Sequence, residues 1–157
     1  MKSTARLCTA LALAGTLFTA VPATAGDGGD GVVRVQSAYS IGETIARVKQ
    51  DLAAKGIMFF TEIDQAKLAA GAGIALRPST LLIFGNPPLG VQFLTANPDS
   101  GLDWPVRLLV REDEQGRVWT VYSDFAWIAK RYGIADREAQ FRMASQVIAS
   151  VTSAAAK

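Results

Sequence analysis

The 157-residue chain contains no histidine and a single cysteine, Cys8. Those two scarcities exclude a Ser-His-Asp triad, a Cys-His pair, and zinc or haem sites built on imidazole or thiolate ligands. Charge of one sign is also scarce, with 16 Lys and Arg against 14 Asp and Glu. A near-neutral surface has no electrostatic hold on nucleic acid or an anionic membrane, so neither is an expected partner. Glycine is present at 14 positions, yet neither G-x-G-x-x-G nor a P-loop occurs, and no internal repeat is evident. What remains for chemistry is carboxylates, hydroxyls, arginines and aromatic rings.

One long apolar run exists, Leu7 to Val21, preceded by Lys2 and Arg6 and followed by Pro22 and Ala23-Thr24-Ala25. A basic start, a short apolar centre and an Ala-x-Ala ending are the parts of a secretory signal peptide, and the run is too short to span a membrane. The expectation is cleavage after Ala25, a periplasmic or secreted product, and no membrane contact after cleavage. Cys8 precedes the apolar centre, which is the wrong side for lipid attachment. Removing 25 of 157 residues leaves 132, enough for one domain with a proper core. Lys2 and Arg6 leave with it, so 14 basic residues face 14 acidic ones. The expected organisation is a signal peptide at 1–25, a flexible linker at 26–31, one α+β domain at 32–152, and a frayed tail at 153–157.

Thr80-Leu81-Leu82-Ile83-Phe84 reads as a strand covered on both faces, stopped by Gly85-Asn86-Pro87-Pro88. A buried strand ending in a stiff polar turn is a common place for a site. Val32 to Tyr39 alternates as a first strand. Ser40-Ile41-Gly42-Glu43 forms a capping box opening a helix with Ile41, Ile45, Val48 and Leu52 on one stripe, closed by Gly56. Ile57 to Ile63 reads as a second strand, with Asp64 capping a short helix from Gln65 to Ala70. A helix from Leu89 to Ala96 follows the prolines, and Trp104-Pro105 leads into a hairpin of Val106 to Arg111 and Arg117 to Ser123. Gly116 supplies the turn, and its acidic tip, Glu112 to Glu114, reads as solvated. Asp124 and Asp136 are expected caps of the last two helices, the second burying Phe141, Ala144, Val147, Ile148 and Val151. The fold class is α+β in two layers, an about five-stranded, mainly antiparallel sheet with helices packed on one face. Such a sheet leaves a face or edge to cover, and a homodimer is the expected way to cover it.

The candidate ligand-binding residues are Arg77, Asn86, Asp103, Trp104, Glu62 and Asp64. Glu62 and Asp64 lie two apart on a strand and share a face, the arrangement paired carboxylates need. The plainer reading makes Asp64 a helix cap and Glu62 half of a salt bridge. Arg77, just before a strand, can hold an anion or close an ion pair. Asn86 can address a ligand or satisfy its own turn, and Trp104, like Trp119 and Trp127, suits a core or interface as well as a stacking platform. No catalytic residue, metal or cofactor is expected.

Thr61-Glu62-Ile63-Asp64, Arg77-Pro78, Leu82-Ile83-Phe84-Gly85-Asn86-Pro87, Asp103-Trp104-Pro105 and Trp119-x-x-Tyr122-x-Asp124 occur in an order and at spacings that resemble the family called domain of unknown function 302 (DUF302), in its small secreted bacterial branch. The likeness runs from about Val35 to Gly133. It implies an α+β fold that tends to dimerise and carries over no catalytic residues. Relatives of this branch often have histidine where Gln65 and Tyr132 stand here, so any metal binding or acid-base work those histidines do is expected to be lost. The resulting expectation is a non-catalytic binding or interaction domain, homodimeric and open to a small-molecule ligand. The competing one is a carboxylate-dependent hydrolase or isomerase with its site near Asn86-Pro87-Pro88.

Overall fold

A computed structural model describes residues 29–156. The expected signal peptide, the first part of the linker and Lys157 lie outside the described residues. The strands are β1 (Val32–Gln36), β2 (Met58–Asp64), β3 (Ser79–Gly85), β4 (Val106–Glu112) and β5 (Val118–Ser123). The helices are α1 (Ile41–Ala54), α2 (Gln65–Gly71), α3 (Pro87–Ala96), α4 (Phe125–Arg131) and α5 (Glu138–Ser153), with a short 3-10 helix at Pro98–Leu102. One sheet runs in the order β1-β5-β4-β3-β2, every neighbouring pair antiparallel. The α+β class is therefore as expected.

Period-two alternation sorts the strands into two faces. Leu82, Phe84, Leu108, Val110, Val118 and Thr120 are buried on one face. They pack with Val48 and Leu52 of α1, Phe93 of α3, Phe125 and Ile128 of α4, and Phe141, Ile148 and Val151 of α5. Phe93 stacks on Phe141 with ring centroids 4.2 Å apart, which locks α3 to α5. The other face carries an unbroken row in register across four strands: Ile63, Leu81, Leu109 and Val121, ending at Arg34 on β1. Leu81, Ile83, Leu109 and Val121 are only half-buried there. The expectation that the Thr80–Phe84 strand is covered on both faces is thus corrected. The burying helices all pack on the Leu82 side, and α2 buries none of its residues. The middle strand of the sheet is β4, with β3 beside it.

Both sheet edges are blunted. On β2 the register slips between Phe59 and Thr61, a bulge at Phe60. On β1, Ala38 N–H donates to the Ala155 carbonyl and Ser37 pairs with Ala156. The tail expected to fray is therefore held: Ala155 is 1 % exposed, because it completes the core below β1. The linker is also anchored at its end. Asp30 accepts from Val32 N–H and pairs with Arg34, and the Gly31 carbonyl accepts from Asp124 N–H. Gly31, at φ +73°, lies against Trp127, where an added Cβ would come within 2.4 Å of the ring.

Two caps differ from expectation. Ser40 Oγ accepts from Glu43 N–H, but the Glu43 carboxylate turns to Arg47 instead of back to the cap. At α5 the N-cap is Arg137, not Asp136, whose carboxylate is taken by Arg137 at 2.5 Å. An i,i+4 or neighbouring guanidinium outcompetes a backbone N–H for an exposed carboxylate, since both partners carry charge.

Candidate functional site

β3 stops at Gly85, and Asn86 becomes the N-cap of α3 with Pro87 and Pro88 in its first turn. Proline suits that turn because its missing N–H would have no helical partner. The Asn86 side chain makes no cap bond, while its carbonyl accepts from Leu89 and Gly90 N–H. Trp104, joined to Pro105 by a cis peptide, lays its indole against α3. An added Cβ on Gly90 would sit 1.7 Å from the indole Nε1, so only glycine admits the ring there. Phe60 from the β2 bulge meets Trp104 edge-on at 6.5 Å. Behind Asn86 lies a slot of about 30 Å³ lined by Ile57, Phe84, Leu89, Phe93, Trp104 and Phe125 among others, with no carboxylate in its lining. That is the size of one water, far below the roughly 300–1,000 Å³ of organic ligand sites.

The three candidate carboxylates are dispersed. Glu62 pairs with Lys49 of α1 at 2.9 Å, and Asp64 accepts from Lys67 N–H at 2.8 Å as the cap of α2. They share a side of β2, as expected, but serve separate structural partners. Asp103 is the buried one, with a side chain 5 % exposed. Its Oδ1 accepts from Arg107 at 2.7 Å, and its Oδ2 accepts from Arg131 at 3.1 Å and Tyr132 Oη at 2.6 Å. The hydrogen bond to Asp103, together with burial, raises the Tyr132 hydroxyl above its ordinary pKa. Tyr132 was legible in the sequence only as a departure from the family pattern; that it closes on Asp103 was not. Gln65, the other departure, accepts from Ser79 Oγ at 2.7 Å. Among the described residues no group of three or more Asp, Glu, His or Cys is placed to hold a metal.

Arg77 lies at the mouth of a different cavity, about 650 Å³, with Leu76, Arg111, Arg117 and Trp119. Here the turn read as solvated proves to be built. Asp113 Oδ1 accepts from Gln115 and Arg117 N–H, and its Oδ2 accepts from Arg117 Nε at 2.7 Å and Trp119 Nε1 at 2.8 Å. Partial burial alone would raise the Asp113 pKa, but those donors outweigh it and hold the carboxyl well below the usual range. The four bonds fix the indole of Trp119, directly across from Arg111 in the β4–β5 register. Sequence reasoning passed over Arg111 and weighed Trp119 only as one of three tryptophans, without placing it at a site. The signal was present in the alternation of β4: if Val106, Leu108 and Val110 face the helices, then Arg107, Leu109 and Arg111 face away.

A sequence model of the family described as "Domain of unknown function DUF302" matches residues 33–155. Curated relatives carry the name fluoride-specific ion channel. FluC 1 of Brucella suis biovar 1 (strain 1330) is 40% identical over 104 residues, covering 66% of this chain and 41% of that protein. FluC 2 of Brucella melitensis biotype 1 is likewise 40% identical over 104 residues, covering 66% of this chain and 38% of that protein. The chain thus spans about two-fifths of the curated relatives it matches. Among solved structures, an uncharacterized conserved protein DUF302 from Bacillus stearothermophilus superposes with a TM-score of 0.73 at 16% identity, over 80% of this chain and 98% of that one. At that identity the likeness speaks for the fold.

Proposed function

For this chain, which belongs to the DUF302 family, we propose a non-catalytic binding and interaction module that works as a homodimer outside the cytoplasm. The observation that carries the reading is the partly exposed apolar row of Ile63, Leu81, Leu109 and Val121 on the face away from the helical core. A second copy seated face to face on that row buries it as the inner layer of a sandwich. With both edges blunted, the face and not an edge is the surface left for pairing. The near-neutral charge expected after leader removal puts no long-range repulsion between copies. Among the described residues no helix is long and apolar enough to cross a membrane. The stretch shared with proteins named fluoride channels therefore fits an extramembrane module that serves a larger assembly.

The carboxylate-dependent enzyme finds little support. Its three acids have three different sets of partners, and the slot at Asn86 contains none of them. Sedimentation velocity on protein purified without refolding tests the dimer. Ile63 is 36 % exposed, so Ile63→Glu leaves the core intact while placing a charge on the row. A wild-type dimer whose Tm rises with concentration is expected, and an Ile63→Glu monomer that still unfolds cooperatively at a concentration-independent Tm. A wild type that stays monomeric at every concentration, or a variant that remains dimeric, removes the face-to-face assembly. Fractionation of cells expressing the full chain tests the location, and recovery of uncleaved protein in the cytosol refutes it.

A further inference from the structure

We propose that the cavity between the β4–β5 turn and the segment before β3 binds an organic monocarboxylate through Arg77 and Arg111, with its apolar body on Trp119. The inference rests on the binding-module reading and names its ligand class. Nine arginines fall among the described residues, and seven of them form ion pairs. The two without an acidic partner there are Arg77 and Arg111, and both line this one cavity. Left to chance, unpaired arginines scatter over a surface; two on one concavity of about 650 Å³ make a site of ligand size. A guanidinium offers a planar pair of donors that matches a carboxylate.

The wall beside them is rigid. Asp113 holds Trp119 by its Nε1 and Arg117 by its Nε, so its carboxylate is already consumed by these donors. The Trp119 ring is half-buried and stands across from Arg111, while Leu76, 51 % exposed, provides apolar surface on the Arg77 side. An aromatic face and an exposed leucine flanking two free guanidinium groups suit an amphiphilic anion better than a bare inorganic one. Glu112 and Glu114, which also line the cavity, repel a multiply charged head more strongly than a singly charged one.

The test is a titration of the ¹⁵N-labelled protein, followed at the indole N–H signals of its three tryptophans, with benzoate, benzyl alcohol and inorganic phosphate as probes. Benzoate is expected to move the Trp119 indole signal saturably while Trp127 stays in place, with benzyl alcohol and phosphate at least ~10-fold weaker. Loss of one charge-assisted contact at an exposed site lowers affinity by about 10-fold or more, which is the change expected for Arg77→Gln and for Arg111→Gln. Arg77 is exposed in a loop, so its variant keeps the fold and serves if the half-buried Arg111 variant does not. No saturable shift with benzoate overturns the site. So does equal binding of benzyl alcohol, which needs no arginine, or of phosphate, which needs no ring. Sedimentation of the same samples separates the two ideas: a dimer without benzoate binding loses only the ligand class, and a binding monomer loses only the assembly.

Discussion

Replacing Gly90 with alanine sets a local preference against a tertiary contact, and the structure says which wins. Alanine in a helix is favoured over glycine by up to ~1 kcal/mol. In α3 its methyl would lie 1.7 Å from Trp104 Nε1 and 2.1 Å from Cε2, so the indole must leave. Trp104 is half-buried; returning about 100 Å² of its apolar surface to water costs roughly 2.5 kcal/mol at 25 cal/mol per Å². Losing the edge-on contact with Phe60 adds about 0.5–1.5 kcal/mol. Net destabilisation is about 2–3 kcal/mol after the helix gain, a drop of several degrees in Tm for a domain of this size. Urea unfolding measures it, and tryptophan emission should shift to the red as the ring meets water. Gly42→Ala is the internal control, being helical with nothing within 4 Å of its added Cβ, and should be neutral or slightly stabilising. A Gly90→Ala protein as stable as wild type with unchanged emission would refute the reasoning, since it would mean the ring does not rest on this helix.

Two further predictions concern pH. Tyr132 holds its proton more tightly in the folded state because it donates to Asp103, so its contribution is complete below the unfolded value near 10 and fades as pH rises through the folded one. Tyr132→Phe should flatten the stability profile above pH 10 in chemical denaturation; an unchanged slope would show that the hydrogen bond is absent in solution. Asp113 has the opposite sign: its lowered pKa stabilises the fold above the unfolded value near 4 and is lost as pH falls below it. Asp113→Asn should therefore weaken the protein at neutral pH and narrow its difference from wild type in acid, and a constant difference across that range would contradict the four-donor arrangement.

The chain's local choices were readable without the fold. Asp64 and Asp124 cap α2 and α4 as their position before apolar runs implies, and Gly56, Gly116 and Gly133 take positive φ where helices and a turn end. The alternation of Val106, Leu108 and Val110 assigns a core face to β4 by itself. These features are set within a few residues of chain, where propensity, capping and period decide the outcome. What depends on segments far apart was decided only by the tertiary structure. The run from Thr80 to Phe84 reads as buried on both sides. The two-layer class puts the helices on one face, but only the packing shows that Leu81 and Ile83 stay half-buried on the other. Asp103 looked like one carboxylate among several until Arg107, Arg131 and Tyr132, the last 29 residues away, closed around it. Arg77 and Arg111 meet at one cavity because β3 and β4 pair in a particular register, and register is a property of two strands, not of either sequence alone.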